Sequence, residues 1–232
     1  MVILDHEGVI KDRASFSARG AGILGLMQFG RQPIYALRSD MSFDVERVRA
    51  YLAAHQGKPI LFFGFTFMVW QHALVHLQQL GVQLAANAGI LIHSGGWKKL
   101  ESARVDAETF GRAAQLSLGV SRVINFYGMV EQVGSVFFEN QLGSLHAPVF
   151  ADVIVRDPFT LKPLPSGKTG LLQVLSILPR SYPGHSLLTE DIGEWLGEDS
   201  PTAGMHGRYF RVSGRVPRSE VRGCSDTYVS TN

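Results

Sequence analysis

Three short apolar runs constrain most tightly what this chain can fold into. Ile60-Leu61-Phe62-Phe63, Gly89-Ile90-Leu91-Ile92-His93 and Val123-Ile124-Asn125-Phe126-Tyr127 are apolar nearly throughout, as strands buried on both faces must be. Between them the spacing turns helical. Val69, Ala73, Leu77 and Leu80 line one face of Met68–Leu80, which stops at Gly81. Phe110, Ala114 and Leu118 do the same behind Asp106, a helix-capping residue, and stop at Gly119. Upstream, Asp44–His55 places Val45, Val48 and Leu52 on one helical face. Strand, helix, strand, helix, strand predicts a parallel sheet with crossover helices. Ligands on such sheets collect at the carboxyl ends of the strands. Two loops lie there: Ser94-Gly95-Gly96-Trp97-Lys98-Lys99 and Gly128-Met129-Val130-Glu131.

From about Gly134 the pattern changes to short strands and turns. Val149–Val155 and Leu171–Leu178 flank a turn-rich connection, Asp157-Pro158 through Pro165-Ser166-Gly167, and Ser186–Trp195 and Arg208–Val212 follow. This half is expected to be mostly antiparallel, as a distorted barrel. The fold class is therefore α/β: a parallel-sheet subdomain over 1–140, a β-rich subdomain over 141–212, and a terminal segment, 213–232, that carries Cys224.

Composition narrows the functional classes. The 232 residues are 45% hydrophobic and carry a net charge of only +2, enough apolar matter for a core and too little charge for disorder. No Lys/Arg block marks a nucleic-acid surface. The single cysteine allows no internal disulfide and fits a reducing compartment. Met1-Val2-Ile3-Leu4-Asp5-His6 lacks the regions of a signal peptide, and Pro59–Trp70 is too short to span a bilayer. A soluble, cytoplasmic protein is expected.

Several motifs have plain explanations. Gly20-Ala21-Gly22-Ile23-Leu24-Gly25 fits G-x-G-x-x-G, but no apolar strand precedes it and no acid stands about twenty residues on, so glycines in a turn or a close helix contact account for it better. Ser166-Gly167-Lys168-Thr169 imitates the end of a phosphate loop, but Lys162 stands where the first glycine belongs, and a hairpin connection fits. His72 and His76 have zinc-ligand spacing without an obvious third ligand, and are expected to be partly buried polar positions.

Asn125-Phe126-Tyr127-Gly128-Met129-Val130-Glu131 is more specific: an aromatic, a glycine and an acid leave a buried strand at its carboxyl end. Tyr127 can stack on a base, Gly128 permits close backbone approach, and Glu131 can bind Mg²⁺. Thr189-Glu190-Asp191 places a carboxylate in an expected turn, able to accept two hydrogen bonds from a ribose diol. Gly214-Arg215 offers a fixed cation for a phosphate or ribose.

Taken in order, these segments resemble the adenylate-forming superfamily of acyl-CoA synthetases, firefly luciferase and peptide-synthetase adenylation domains. Tyr127-Gly128-Met129-Val130-Glu131 is similar to its Y-G-x-T-E motif, with Val130 in place of Thr. Thr189-Glu190-Asp191 is similar to its T-G-D motif and Gly214-Arg215 to its later G-R motif. Within the superfamily, Phe63-Gly64-Phe65-Thr66, Ser94–Lys99, Tyr127–Gly134 and Arg222-Gly223-Cys224-Ser225-Asp226 resemble the acyl-protein synthetases of bacterial luminescence.

The resemblance implies ATP and Mg²⁺ as cofactors, a fatty acid substrate and an acyl-reductase partner. Gly95 and Gly96 would border the adenine and Tyr127 would stack on it. Glu131 would hold Mg²⁺, Asp191 would take the ribose hydroxyls, and Arg215 would contact ribose or phosphate. Cys224 would receive the acyl group. The superfamily's phosphate loop has no copy here, which implies a split gene or a truncated form that adenylates poorly alone. A phenylacetate-type acyl- or aryl-CoA ligase, and a non-catalytic nucleotide-binding or docking subunit of a fatty acid reductase complex, are the competing readings.

Overall fold

The computed structural model describes residues 1–11, 17–97, 102–200, 202 and 204–216. They form two compact units that divide between Asn125 and Phe126.

The first unit opens with β1 (Val2–His6), α1 (Gly8–Lys11), α2 (Ala18–Met27), β2 (Ile34–Leu37) and α3 (Val45–Ala54). Then come β3 (Ile60–Phe65), α4 (Thr66–Met68), a π-helical stretch (Val69–Leu74), α5 (Val75–Gln79), β4 (Gly89–Ser94), α6 (Ala107–Leu118) and the start of β5 (Arg122–Tyr127). The strands stand in the order β2-β1-β3-β4-β5, and β1 pairs in parallel with β2 and β3, as β3 does with β4. Val2, Ile3 and Leu4 of β1, and Phe62 and Phe63 of β3, are completely buried, as central strands covered on both faces require. β1 was not singled out by the sequence pattern.

Local chemistry sets the helix ends. Asp106 accepts from the Thr109 N–H at 2.7 Å, and Gly119 closes α6 in the left-handed region at φ 68°. Asp44 caps α3 in the same way. The helix expected over Met68–Leu80 is present with two corrections. Its middle is wound wide, with the Val75 N–H bonding the Trp70 carbonyl five residues back. Leu80 is 54% exposed rather than on the buried face, because the helix ends at Gln79 and the chain leaves toward the left-handed Gly81. The glycines of the G-x-G-x-x-G run lie inside α2, where a β-carbon at Gly22 would stand 2.9 Å from the Phe65 ring. Gly22 serves a close helix contact, whereas Gly25 has nothing within 4 Å of where a β-carbon would stand.

The second unit begins with the last residues of β5, whose Phe126 and Tyr127 pair with β6 (Phe137–Phe138). β7 (Leu145–His146), β8 (Ala151–Arg156), β9 (Thr169–Ser176), β10 (Ser186–Ser200) and β11 (Met205–Arg215) make an antiparallel sheet in the order β7-β11-β10-β9-β8. Arg208 of β11 reaches across to donate to the Val153 carbonyl of β8 at 3.0 Å, so the sheet curls strongly. Its core is Phe137, Leu145, Val153, Val155, Leu172, Val174 and Phe210. The expected strand starting at Val149 begins at Ala151 instead, and Val149 is fully exposed after Pro148. The strand expected over Leu171–Leu178 starts at Thr169 and ends at Ser176, leaving Ile177 exposed.

Candidate functional site

In the second unit the structure brings three of the singled-out residues together. Tyr127, at the end of β5, donates its hydroxyl to Asp191 Oδ2 at 2.7 Å. Arg215, at the end of β11, lies with Nε 3.4 Å from Asp191 Oδ1 and donates Nη2 to Glu190 Oε2 at 2.9 Å. The Tyr127 ring meets Phe137 and Phe210 with centroids at 6.0 and 6.1 Å, so its position is fixed by packing as well as by its hydroxyl. Asp191 retains only 20% side-chain exposure.

Asp191 does not sit in a turn. It lies within β10, at a break in the ladder. From Leu188 to Ile192 β10 advances four residues, while its partner moves only two, from Gln173 to Leu171. The surplus is a bulge, which kinks the strand and re-aims its side chains. Thr189 stabilises it: its hydroxyl donates to the Leu172 carbonyl at 2.8 Å and accepts the Asp191 N–H at 3.1 Å. The Thr-Glu-Asp signature that suggested a turn is thus the signature of a bulge.

Glu131 occupies the 3₁₀ turn Val130–Gln132 that follows Gly128, and its carboxylate is exposed. A single exposed carboxylate is the donor set Mg²⁺ uses when phosphate oxygens and water complete its shell. Among the described residues no cluster of three or more His, Cys, Asp or Glu forms a dedicated metal cage. A β-carbon at Gly128 would stand 3.2 Å from the Ser135 carbonyl, so this turn is closely packed from its first residue.

In the first unit, Gly95 and Gly96 follow β4 directly. Gly95 has φ 85°, and a β-carbon there would lie 3.2 Å from the Phe65 ring. Just before them is a network the sequence reading missed. Thr66 Oγ1 lies 2.9 Å from His93 Nδ1 and 3.1 Å from the Ser94 carbonyl. A carbonyl only accepts and a hydroxyl has one hydrogen, so Thr66 donates to Ser94 and accepts from His93. The imidazole is thereby held as the Nδ1–H tautomer. His93 packs on Phe110 at 4.4 Å, and burial pushes its pKa down to about 3, so it is neutral. Trp70, Trp97 and Phe110 gather beside it. The only sequence signal was a histidine and a threonine at the ends of two apolar runs. Their contact depends on the register that sets Phe65 against Ser94.

A cavity of about 660 Å³ opens elsewhere, lined by Arg49, His55, Lys58 and Asn87. It lies where β3 and β4 begin, and so at the end of the sheet where ligands of such folds do not collect. Lys98, Lys99 and Cys224 lie outside the described residues. No helix among the described residues is long and apolar enough to cross a membrane.

The family model of acyl-protein synthetase, LuxE, matches residues 12–231. The chain belongs to this family. A long-chain-fatty-acid–luciferin-component ligase of Vibrio harveyi is 30% identical over 137 residues, a match covering 58% of this chain and 35% of the relative. The chain thus matches about a third of this curated relative's length. The fold is shared with 2-hydroxyisobutyryl-CoA ligase in complex with 2-HIB-AMP and CoA (TM-score 0.64, 17% identity, 92% of this chain and 47% of that one). It is shared also with ATP-bound MatB of Rhodopseudomonas palustris (TM-score 0.57, 17% identity, 92% and 40%).

Proposed function

We propose that this chain carries the adenosine-binding and acyl-accepting parts of a cytoplasmic acyl-protein synthetase, which activates a long-chain fatty acid with ATP and transfers the acyl group to Cys224. The observation that carries the reading is the grouping of Tyr127, Asp191 and Arg215 by the 2.7 Å bond and the β10 bulge. An aromatic ring, a carboxylate suited to a diol and a guanidinium are what an adenosine monophosphate group needs. The known relatives, one named as a ligase and others solved with ATP or an acyl-AMP, support that choice of ligand.

The chemistry answers one difficulty: a carboxylate is a poor electrophile, because oxide is a poor leaving group. A carboxylate oxygen attacks the α-phosphorus of ATP, the bond to the β-phosphate oxygen breaks, and pyrophosphate leaves. The Cys224 thiolate, its proton lost to solvent, then attacks the acyl carbon. AMP departs with the electron pair, leaving a thioester. Asp191 accepts the ribose hydroxyls, Tyr127 stacks on the adenine, and Arg215 offsets phosphate charge. Glu131 would hold Mg²⁺, which when bound neutralises charge on the departing pyrophosphate. Arg215, Arg218 and Arg222 precede Cys224 closely in sequence and favour its thiolate. An acyl-reductase partner would then take the acyl group.

The test offers labelled acyl-adenylate to the chain and to Cys224→Ser. Label that attaches to wild type only and is released by hydroxylamine is the expected result. Label that resists hydroxylamine, or attaches equally to the serine variant, would remove Cys224 from the mechanism and make an external thiol such as CoA the acceptor.

A further inference from the structure

The turn that carries Glu131 is held from outside by a second segment, Tyr182-Pro183-Gly184. The Tyr182 hydroxyl donates to the Glu131 carbonyl oxygen at 2.6 Å. Gln132, only 1% exposed, donates through Nε2 to the Gly184 carbonyl at 2.8 Å and to the Val174 carbonyl at 3.1 Å. Two carbonyls fix the orientation of this amide, since only its nitrogen can serve them. Gln132 Oε1 is buried with no hydrogen-bond partner among the described residues, so the side chain is placed at a cost that the two donated bonds offset. The approach is as close as it can be. A β-carbon on Gly184 would stand 2.7 Å from the same Glu131 carbonyl and would also run into the Tyr182 ring. A bond between the Ser135 and Ser176 hydroxyls, 2.7 Å, closes the far side of the turn.

The clamping segment continues directly into β10 and its Asp191, which already receives the Tyr127 hydroxyl. The 127–132 stretch and the 182–191 stretch are therefore tied at both ends. We propose that Gln132 and Tyr182 are positioning residues that fix the exposed Glu131 carboxylate relative to Asp191, so that a metal-bound phosphate chain and the ribose are held at a set spacing. The proposal rests on the assignment of Glu131 as the Mg²⁺ ligand. It adds the residues that hold the backbone of its turn.

The test compares binding of ATP with and without Mn²⁺, and of AMP without metal, to the wild-type chain, Tyr182→Phe, Gly184→Ala and Glu131→Gln. Tyr182→Phe removes one oxygen from a side chain that is 42% exposed, so the fold persists. Gly184→Ala pushes the segment off the turn by a different route. Both should reduce the Mn²⁺-dependent gain in ATP affinity about threefold to tenfold, the worth of one hydrogen bond, and leave AMP affinity unchanged. Glu131→Gln should abolish the gain. Retention of the gain in Tyr182→Phe, with its loss in Glu131→Gln, overturns the clamp and leaves the metal assignment standing. An equal fall in AMP and Mn²⁺–ATP affinity in the Tyr182 and Gly184 variants marks a general structural role, and also overturns it. If Glu131→Gln keeps the gain, or wild type shows none, the metal assignment falls and the clamp falls with it.

Discussion

The bond between Tyr127 and Asp191 allows a quantitative test of the central grouping. At 2.7 Å it is a hydroxyl on a carboxylate, the short, charge-assisted kind. Buried bonds to charged groups contribute about 1.5–3 kcal/mol. Asp191 keeps 20% of its side-chain exposure and has Arg215 Nε 3.4 Å from its other oxygen, so water and the guanidinium compensate part of any loss. After that discount the coupling between the two side chains should be about 1–2 kcal/mol. Tyr127→Phe keeps the ring that packs on Phe137 and Phe210, and Asp191→Asn keeps the shape, so the two variants and their combination form a double-mutant cycle. The measurement is urea unfolding of the four proteins. The two single losses should exceed the double loss when summed. Strict additivity, within about 0.5 kcal/mol, would refute the claim that this bond joins β5 to the β10 bulge.

Three further outcomes follow from the first unit. Burial lowers the His93 pKa to about 3, below its unfolded value near 6.5, so its contribution to stability is complete above pH 6.5 and is lost as pH falls toward 3. Unfolding free energies from urea titrations at pH 7 and pH 5 should differ by about 2 kcal/mol from this group, since the slope of about 1.4 kcal/mol per pH unit applies only below pH 6.5, and His93→Asn should flatten it. Thr66→Val should weaken the chain by about 1–3 kcal/mol in thermal or urea unfolding, because the buried His93 Nδ1–H loses its acceptor. Gly119→Ala should cost more than 1 kcal/mol in the same assay, since φ is 68° and a β-carbon would meet the Leu84 backbone.

The parts of the fold legible in the sequence were those set by local chemistry. Asp106 and Gly119 bound α6 because capping and left-handed turns are properties of single residues. β3 and β4 read correctly because strands covered on both faces have no polar alternation to hide them. β1 was missed because Met1–Leu4 is too short a run to stand out, although it lies inside the sheet, between β2 and β3. The π-helical stretch leaves an ordinary helical pattern in Val69, Ala73 and Leu77, all buried, and only the hydrogen bond from Val75 to Trp70 reveals it. For the candidate site, Tyr127, Asp191 and Arg215 were legible as residue types beside strand ends. That they meet depends on a bulge and on the β10–β11 register, which sets Asp191 against Arg215. Thr66, Tyr182 and Gln132 act through partners 27 to 52 residues away, and no local pattern carries that information.

The bulge in β10 also limits how this sheet can change. Side chains alternate along a strand with a period of two, and the surplus between Leu188 and Ile192 is itself two residues. The strand therefore enters and leaves the interruption in phase: Leu187 before it and Trp195 after it pack against the same core. A two-residue deletion there would restore a continuous ladder without turning any downstream side chain over. A one-residue deletion would exchange the inner and outer faces of Ile192–Trp195. Removing the bulge while keeping Ile192–Trp195 on their present faces therefore takes two residues rather than one.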